Sequence, residues 1–239
     1  MSGHSKWNNI KRKKEITDGA KAKVFTKMGR EISIAVREGG ADPTTNFKLA
    51  TIVAKAKANN VPNDNIERAI KKAAGADNKD EFEVIMYEGY GPAGVAFMVE
   101  TMTDNRNRTA GDLRHFFDKN GGNLGQNGCV SFLFNQKGII TVDAEDIDED
   151  RLTEACIDAG AEDITFDDER FIITTAPADL EAVSAALQKA GYHLESEEAA
   201  YLPTTYTKVT DEDALVKLGK LIDALDENDD VTDYWHSME

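Results

Sequence analysis

The residues of this sequence best suited to binding chemistry are cations close to its start. Four consecutive cations follow a Lys-Trp pair; the six residues are Lys6, Trp7, Lys11, Arg12, Lys13 and Lys14. Adjacent cations repel one another, and they gain free energy when they neutralise a polyanion and release its counterions. An indole among polar neighbours can stack on an unpaired base, which contributes about 1–3 kcal/mol. This arm, residues 1–14, therefore predicts nucleic-acid binding; the alternative is a solvated charge run with Trp7 packed on the protein.

A second group of cations shares one face of the first predicted helix. At 100° per residue, four basic side chains of this helix fall within about 80° of one another. They lie opposite the apolar stripe of Phe25 and Ile32, and they are Lys23, Lys27, Arg30 and Arg37. A basic outer face is common on amphipathic helices, but together with the arm it favours a polyanionic partner. A membrane surface is the competing polyanion. The short, Ala-rich apolar stripes leave little area to insert into lipid, so we expect no membrane partner.

A third group stands in the segment Asp104–Thr109 and the helix that follows it. Arg106 and Arg108 precede a predicted helix that also carries Arg114. Guanidinium groups before a helix N-terminus are suited to holding phosphate. The local alternative is that these arginines pair with Asp104 or Asp112. Both interpretations remain open at this point.

The distribution of charge supports a basic module attached to an acidic body. The chain has 239 residues and a net charge of -16, with 28 Lys+Arg and 44 Asp+Glu. Residues 1–80 hold 17 basic and 9 acidic side chains, whereas residues 81–239 hold 11 and 35. Such an asymmetry indicates that a polyanion binds the first third and is repelled by the rest.

The sequence patterns that could indicate an enzyme or a metal site lack the structural context or the spacing that such a site requires. The segment Gly89–Gly94 matches G-x-G-x-x-G, but a strand rather than a helix follows it, so a hairpin is favoured over a dinucleotide site. Four histidines stand far apart, and the two cysteines have no ligand spacing or disulfide framework. The sequence therefore predicts no enzyme, no metal, no cofactor and no small-molecule substrate. Without a hydrophobic leader, it also predicts a cytoplasmic protein.

The first third of the chain has the periodicity of three helices. Phe25, Met28 and Ile32 begin an apolar stripe that ends at Gly39-Gly40, and Asp42-Pro43 is expected to cap and start the second helix. Ile66, Ala69, Ile70 and Ala73 form the third stripe, with Gly75 as its stop. Residues 76–81 are polar and typical of a linker.

From Phe82 the pattern alternates between strands and helices. We expect strands over Phe82–Tyr87, Val95–Thr101 and Val130–Phe134, with a helix over Thr109–Asn120 that begins in a capping box from Thr109 to Asp112. The order βαββαβ follows from Gly138 onward and is a complete split βαβ unit of ferredoxin-like type. The flanking elements are expected to close a second α/β unit around it.

Several motifs resemble one known family over essentially the whole length. Gly3-His4-Ser5-Lys6-Trp7 is similar to the opening of the YebC/PmpR family, and further similar segments follow in order: Gly39–Pro43, Asn59–Pro62, Asn65–Ile70, Tyr87–Pro92, Asp104–Thr109 and Gly121–Gly125. His4 belongs to that opening, and we place it with the cations above among the predicted nucleic-acid contacts.

The resemblance implies an α+β fold with an N-terminal three-helix domain and two ferredoxin-like α/β domains, one inserted in the other. The predicted bounds are 1–80, then 81–136 with 206–239, and 137–205 for the insert. The resemblance also implies a non-enzymatic regulator of gene expression, DNA-binding and transcriptional by the family's label. The alternative is a translation factor that binds the ribosome and its RNA and relieves stalling at sequences such as proline runs. Both are polyanion-binding roles, so charge does not choose between them.

Overall fold

The computed structural model describes residues 18–75, 82–167 and 169–239, with side chains from residue 25 onward. Within these ranges the chain forms seven α-helices and two four-stranded sheets, which confirms the α+β class. Contacts divide the described residues into two compact units. The first comprises 18–75, 82–129 and 210–234, and the second comprises 130–209 and 235–239. The predicted division into three domains stays a prediction.

Three helices make up the first part of the first unit: α1 (Asp18–Gly39), α2 (Phe47–Ala58) and α3 (Asn63–Ala74). Their apolar stripes meet in one core around Ile32, Leu49 and Ile66, each of which is buried. The expected start of α2 at Asp42-Pro43 is wrong. Asn46 is the N-cap, because its Oδ1 accepts from the Leu49 N–H at 3.0 Å while its Nδ2 donates to the carbonyls of Ala35 and Gly40.

The first sheet has the strand order β3-β1-β2-β8, where β1 is Glu83–Tyr90, β2 is Ala96–Thr103, β3 is Asn123–Leu124 and β8 is Val231–His236. The antiparallel pair β1–β2 is joined by a turn at Pro92–Gly94, as expected for a hairpin rather than a dinucleotide loop. Two helices belong to this part of the chain, α4 (Arg106–Lys119) and α7 (Glu212–Glu227). Phe97 of β2 packs edge-on against Phe117 of α4, with ring centroids 5.7 Å apart.

The start of α4 differs from the predicted capping box. The helix begins at Arg106, three residues earlier than expected, because Asn105 is its N-cap and accepts from the Arg108 N–H at 3.1 Å. Thr109 instead lies inside the first turns and is fully buried. A threonine that the sequence presented as a cap is therefore available for an interior contact.

The second sheet has the order β5-β6-β4-β7, formed by β4 (Phe134–Asp143), β5 (Asp163–Asp167), β6 (Arg170–Thr175) and β7 (Leu194–Pro203). With α5 (Glu149–Ala159) and α6 (Leu180–Lys189), this is the predicted βαββαβ unit, and its strand pairs are antiparallel. The separate strand expected over Val130–Phe134 is wrong. Ser131–Leu133 forms a short 3₁₀ turn that leads directly into the long strand β4.

Candidate nucleic-acid interface

The predicted contact residues fall into three structural groups. Those of the arm lie outside the described residues: His4, Lys6, Trp7, Lys11, Arg12, Lys13 and Lys14. Lys23 lies in α1 ahead of the side chains that the structure describes. Lys27, Arg30, Arg106, Arg108 and Arg114 can be placed, and all five belong to the first compact unit.

Arg30 of α1 is held by the first sheet and by the loop before β8. Its Nη1 donates to the carbonyl of Asp229 at 2.7 Å and to the Asp230 carboxylate at 2.7 Å, and it reaches the Met102 carbonyl at 3.2 Å. The guanidinium also lies over the Phe82 ring, 5.3 Å from its centroid. Only 17% of the side chain is exposed. The outward orientation expected from the helical period is therefore not what the structure shows for Arg30.

Lys27, one turn before Arg30, lies among acidic groups. Burial lowers the pKa of its ammonium group, and the negative charges of Asp226, Asp233, Asp229 and Glu31 act in the opposite direction. Periodicity identified the residues that share this face of α1. It could not show that carboxylates from the end of the chain surround it.

Asp230 joins four elements of the first unit. Besides Arg30 of α1, its carboxylate accepts from Arg108 Nη2 of α4 at 2.8 and 3.1 Å and from Thr109 Oγ1 at 2.8 Å. The hydroxyl of Thr103, at the end of β2, donates at 3.3 Å. We call these five side chains, Arg30, Thr103, Arg108, Thr109 and Asp230, the Asp230 cluster. It ties the helical N-terminal part to the sheet at the start of β8.

Electrostatics favour the ionised form of Asp230 in this cluster. Its side chain is 5% exposed. Burial alone would raise the pKa of the carboxyl, but hydrogen bonds from Arg108, Thr109 and Arg30 outweigh that effect and lower it. Two guanidinium groups converging on one buried carboxylate resemble the way arginines hold a phosphate.

Arg108 has one of the two local partners that the sequence left open, Asp104, and a distant one, Asp230. It pairs with Asp104 at 2.9 Å as well as with Asp230, and 45% of its side chain remains exposed. These two hydrogen-bonded carboxylates raise the pKa of the guanidinium. Arg108 is therefore oriented by the protein and still reachable from solvent.

Arg106 and Arg114 of α4 are both exposed. The backbone carbonyl of Arg106 accepts from the Tyr87 hydroxyl at 3.4 Å, which holds the first turn of the helix against β1. With Arg108 they give α4 three arginines that solvent reaches. Among the predicted contact residues whose side chains the structure describes, these three are the exposed ones.

Sequence reasoning missed Asp230, Thr103 and the interior role of Thr109. One of 44 acidic residues carries no signal by itself, and Asp230 stands 200 positions from Arg30. The sequence presents Thr109 only as a cap. The pairing of the first sheet is what brings the three together.

Three further observations on the described part of the chain concern metal ligands, helix hydrophobicity and a thiol. No group of three or more His, Cys, Asp or Glu side chains there is arranged to hold a metal ion. None of the helices found there is long and apolar enough to cross a membrane. Burial raises the pKa of the Cys156 thiol to about 11, which makes it a weak nucleophile.

Comparison with known proteins decides the family. A family model described as the TACO1/YebC protein N-terminal domain matches residues 5–76, and one described as the TACO1/YebC second and third domain matches residues 82–238. The chain belongs to the TACO1/YebC family. This confirms the resemblance that the sequence motifs indicated.

Curated relatives are similar in sequence to this chain over nearly the full length of both proteins. A protein from Agathobacter rectalis is 53% identical over 241 residues and covers 100% of both chains. One from Ruminiclostridium cellulolyticum is 55% identical over 240 residues, covering 100% of this chain and 97% of its own. Each is named a probable transcriptional regulatory protein. The crystal structure of a conserved hypothetical protein from Aquifex aeolicus is 45% identical, with a TM-score of 0.88 over 98% of this chain and 97% of that one.

Proposed function

We propose that this member of the TACO1/YebC family is a non-enzymatic, cytoplasmic, nucleic-acid-binding regulator of gene expression, acting as a DNA-binding transcriptional regulator through its basic N-terminal part. The observation that carries the proposal is that relatives about half identical over the full length are named probable transcriptional regulatory proteins. The predicted contacts of the arm and of α1 and α4 belong to the proposal.

The charges of the chain support a polyanionic partner. Residues 1–80 carry 17 basic against 9 acidic side chains, and the exposed arginines of α4 stand within a region where acidic residues outnumber basic ones by 35 to 11. Contacts to phosphate give affinity and orientation without reading sequence. An acidic body limits non-specific binding at physiological salt, because it repels nucleic acid outside the matched site.

Ribosomal RNA is the second candidate target, and α3 gives it physical support. The exposed polar side chains of α3 are Asn63, Asp64, Glu67, Arg68, Lys71 and Lys72. Most of them are acidic side chains or lysines rather than the Asn, Gln and Arg with which a recognition helix reads the major groove. Binding by shape and backbone suits structured RNA as well as duplex DNA.

Salt-dependent binding tests the proposal. Fluorescence anisotropy with a duplex DNA and with a structured ribosomal RNA fragment, from about 0.05 to 0.2 M salt, gives the slope of log K against log salt. Replacing Lys11, Arg12, Lys13 and Lys14 with Ala should reduce that slope by roughly 0.7–0.9 for each phosphate that the variant no longer neutralises. Arg151→Ala with Lys189→Ala, in α5 and α6, is a control that should leave it unchanged.

A sedimentation experiment separates the two targets. The protein is followed in a sucrose gradient of lysate at about 0.1 and 0.5 M salt, with and without DNase. Co-migration with ribosomal particles at low salt despite DNase assigns RNA as the target. Migration that depends on intact DNA supports the transcriptional role, and the absence of binding to either nucleic acid would refute the proposed function.

A further inference from the structure

A cavity of about 380 Å³ opens between the C-terminal half of α4 and the end of α7. His115, Phe116 and Lys119 of α4 line it together with Asn120, the C-cap of that helix, and Lys220, Ala224, Glu227 and Asn228 complete it. All of these residues belong to the first compact unit. The volume lies within the range of about 300–1,000 Å³ that is usual for small-ligand sites.

Aromatic and amide groups give the cavity the chemistry that recognises a base. His115 and Phe116 are tilted against each other, with ring centroids 6.3 Å apart. Two amides are fixed beside them: Asn120 Nδ2 donates to the Phe116 carbonyl at 2.8 Å, and Asn228 Oδ1 accepts from the Asp230 N–H at 2.9 Å. Aromatic side chains stack on any base, while oriented amides and a carboxylate such as Glu227 recognise the polar edge of a base.

The rim carries the charge that a phosphodiester requires. Lys119 and Lys220 are exposed on the two helices that border the cavity. On α4, Lys119 continues a face that includes Arg108 and His115, since these residues follow at i, i+7 and i+11. The face also carries Asp112, and Arg108 at its far end is paired with Asp104 and Asp230, so the positive charge of this face beside the cavity is that of Lys119.

We propose that this cavity binds one unpaired nucleotide of the target nucleic acid, with the base against Phe116 and the phosphate between Lys119 and Lys220. The proposal rests on the proposed function and adds to it a preference for strands that contain an unpaired base. A paired base cannot enter, because its edge and faces are occupied within the duplex. RNA loops and single-stranded DNA present the same chemistry, so both are tested.

Filling the cavity from α7 provides the test. Ala224→Met adds volume at the cavity wall without changing charge, and methionine is a good helix former. The full-length protein is titrated with a hairpin that contains a single bulged nucleotide and with its fully paired counterpart, each as RNA and as DNA. Ala182→Met, at an exposed position of α6, is the matched control.

We expect Ala224→Met to weaken binding of the bulged hairpin by about five- to a hundredfold, the effect of preventing one base from stacking on an aromatic ring, and to leave the paired hairpin unchanged. Ala182→Met should change neither. Weaker binding of RNA alone assigns the site to RNA, and weaker binding of both assigns it to any unpaired strand. Equal weakening on bulged and paired hairpins, or none, would overturn the proposal. A native protein that binds no hairpin at all contradicts the proposed function itself.

A spectroscopic measurement reports stacking independently of affinity. With 2-aminopurine as the bulged base, binding of the native protein should change its fluorescence as the base leaves the helix stack and meets Phe116. At saturating protein, Phe116→Leu keeps an apolar wall but removes the ring, so the signal should revert toward that of the free hairpin. An identical spectrum for the native protein and Phe116→Leu would show that the base lies elsewhere.

Discussion

Removing the Asp230 carboxylate should loosen the attachment of α1 to the first sheet. The cost follows from the partners it would leave behind. Arg30 is 17% exposed and keeps its two backbone carbonyls, whereas Arg108 is 45% exposed and largely rehydrates. Breaking a buried ion pair costs about 3–5 kcal/mol, and the remaining partners of Arg30 reduce that figure. We expect Asp230→Ala to lower the free energy of unfolding by about 2–3 kcal/mol.

Asp230→Asn separates the charge from the shape of the side chain. The amide retains one oxygen acceptor, but its NH₂ group then faces donors from Arg108 and Thr109. We expect a cost of about 1–2 kcal/mol, between no change and the alanine variant. Asp229→Ala is the matched control, because Arg30 uses the backbone carbonyl of Asp229 and not its side chain; it should cost less than about 0.5 kcal/mol.

Urea unfolding followed by circular dichroism measures these costs, and hydrogen exchange in α1 and α4 locates them. The same variants test a pH dependence. Because the pKa of Asp230 is lowered in the folded protein, its contribution is present above the ordinary aspartate value of about 3.9. That contribution is lost as the pH falls through the lower, folded-state value. A stabilising role of the Asp230 carboxylate is refuted if Asp230→Ala costs no more than Asp229→Ala, or if the native protein and Asp230→Asn lose stability in parallel below pH 4.

Three further predictions concern single positions. Lys27→Met should not lower the free energy of unfolding at neutral pH, because burial disfavours the Lys27 charge. In the native protein, the free energy of unfolding should rise with pH between the lowered pKa of Lys27 and its ordinary value. Urea titrations of the variant should no longer show that rise. Gly219→Ala in α7 should raise the free energy of unfolding by about 0.5–1 kcal/mol, because the added Cβ meets nothing within 4 Å. Gly138→Ala should lower it by about 1–3 kcal/mol, because its Cβ would collide with Thr175 Oγ1 and come within 2.9 Å of Leu180 Cβ. Equal effects of the two substitutions would contradict this geometry. Cys156, with a thiol pKa of about 11, should resist alkylation in the native protein and react once the second unit unfolds; rapid native labelling, followed by mass spectrometry, would count against its burial.

Elements with a local signal were predictable from the sequence. The stripe of α1 and the alternation of the βαββαβ unit depend on neighbouring residues, and the structure contains both. The error at the start of α2 arose where contacts outside the helix help to decide the cap. Asn46 caps α2 because Ala35 and Gly40 offer carbonyls to its amide, and the sequence gives no sign of that approach.

The sequence identifies cations on the predicted helices, but it does not give their orientation. Arg30, Arg106, Arg108 and Arg114 were identified as cations on or before helices. Arg30 and Arg108 bind the Asp230 carboxylate, whereas Arg106 and Arg114 are exposed. The position of Asp230 depends on the pairing of β8 with β2. Periodicity defines which side chains share a face, but the layer that covers that face comes from elsewhere in the chain.

The late position of β8 in the chain has a consequence for synthesis. While β8 is still inside the ribosome, β2 is an open edge and Arg30 lacks the Asp230 carboxylate, since both β8 and Asp230 follow α1 and β2 in the chain. The second sheet, by contrast, is contiguous from β4 to β7 and needs no later strand to fill its order. Long-range pairing is slow to form, and domains tend to fold as units as they emerge. The first sheet of the nascent chain is therefore completed after the second, and the Asp230 cluster forms with it.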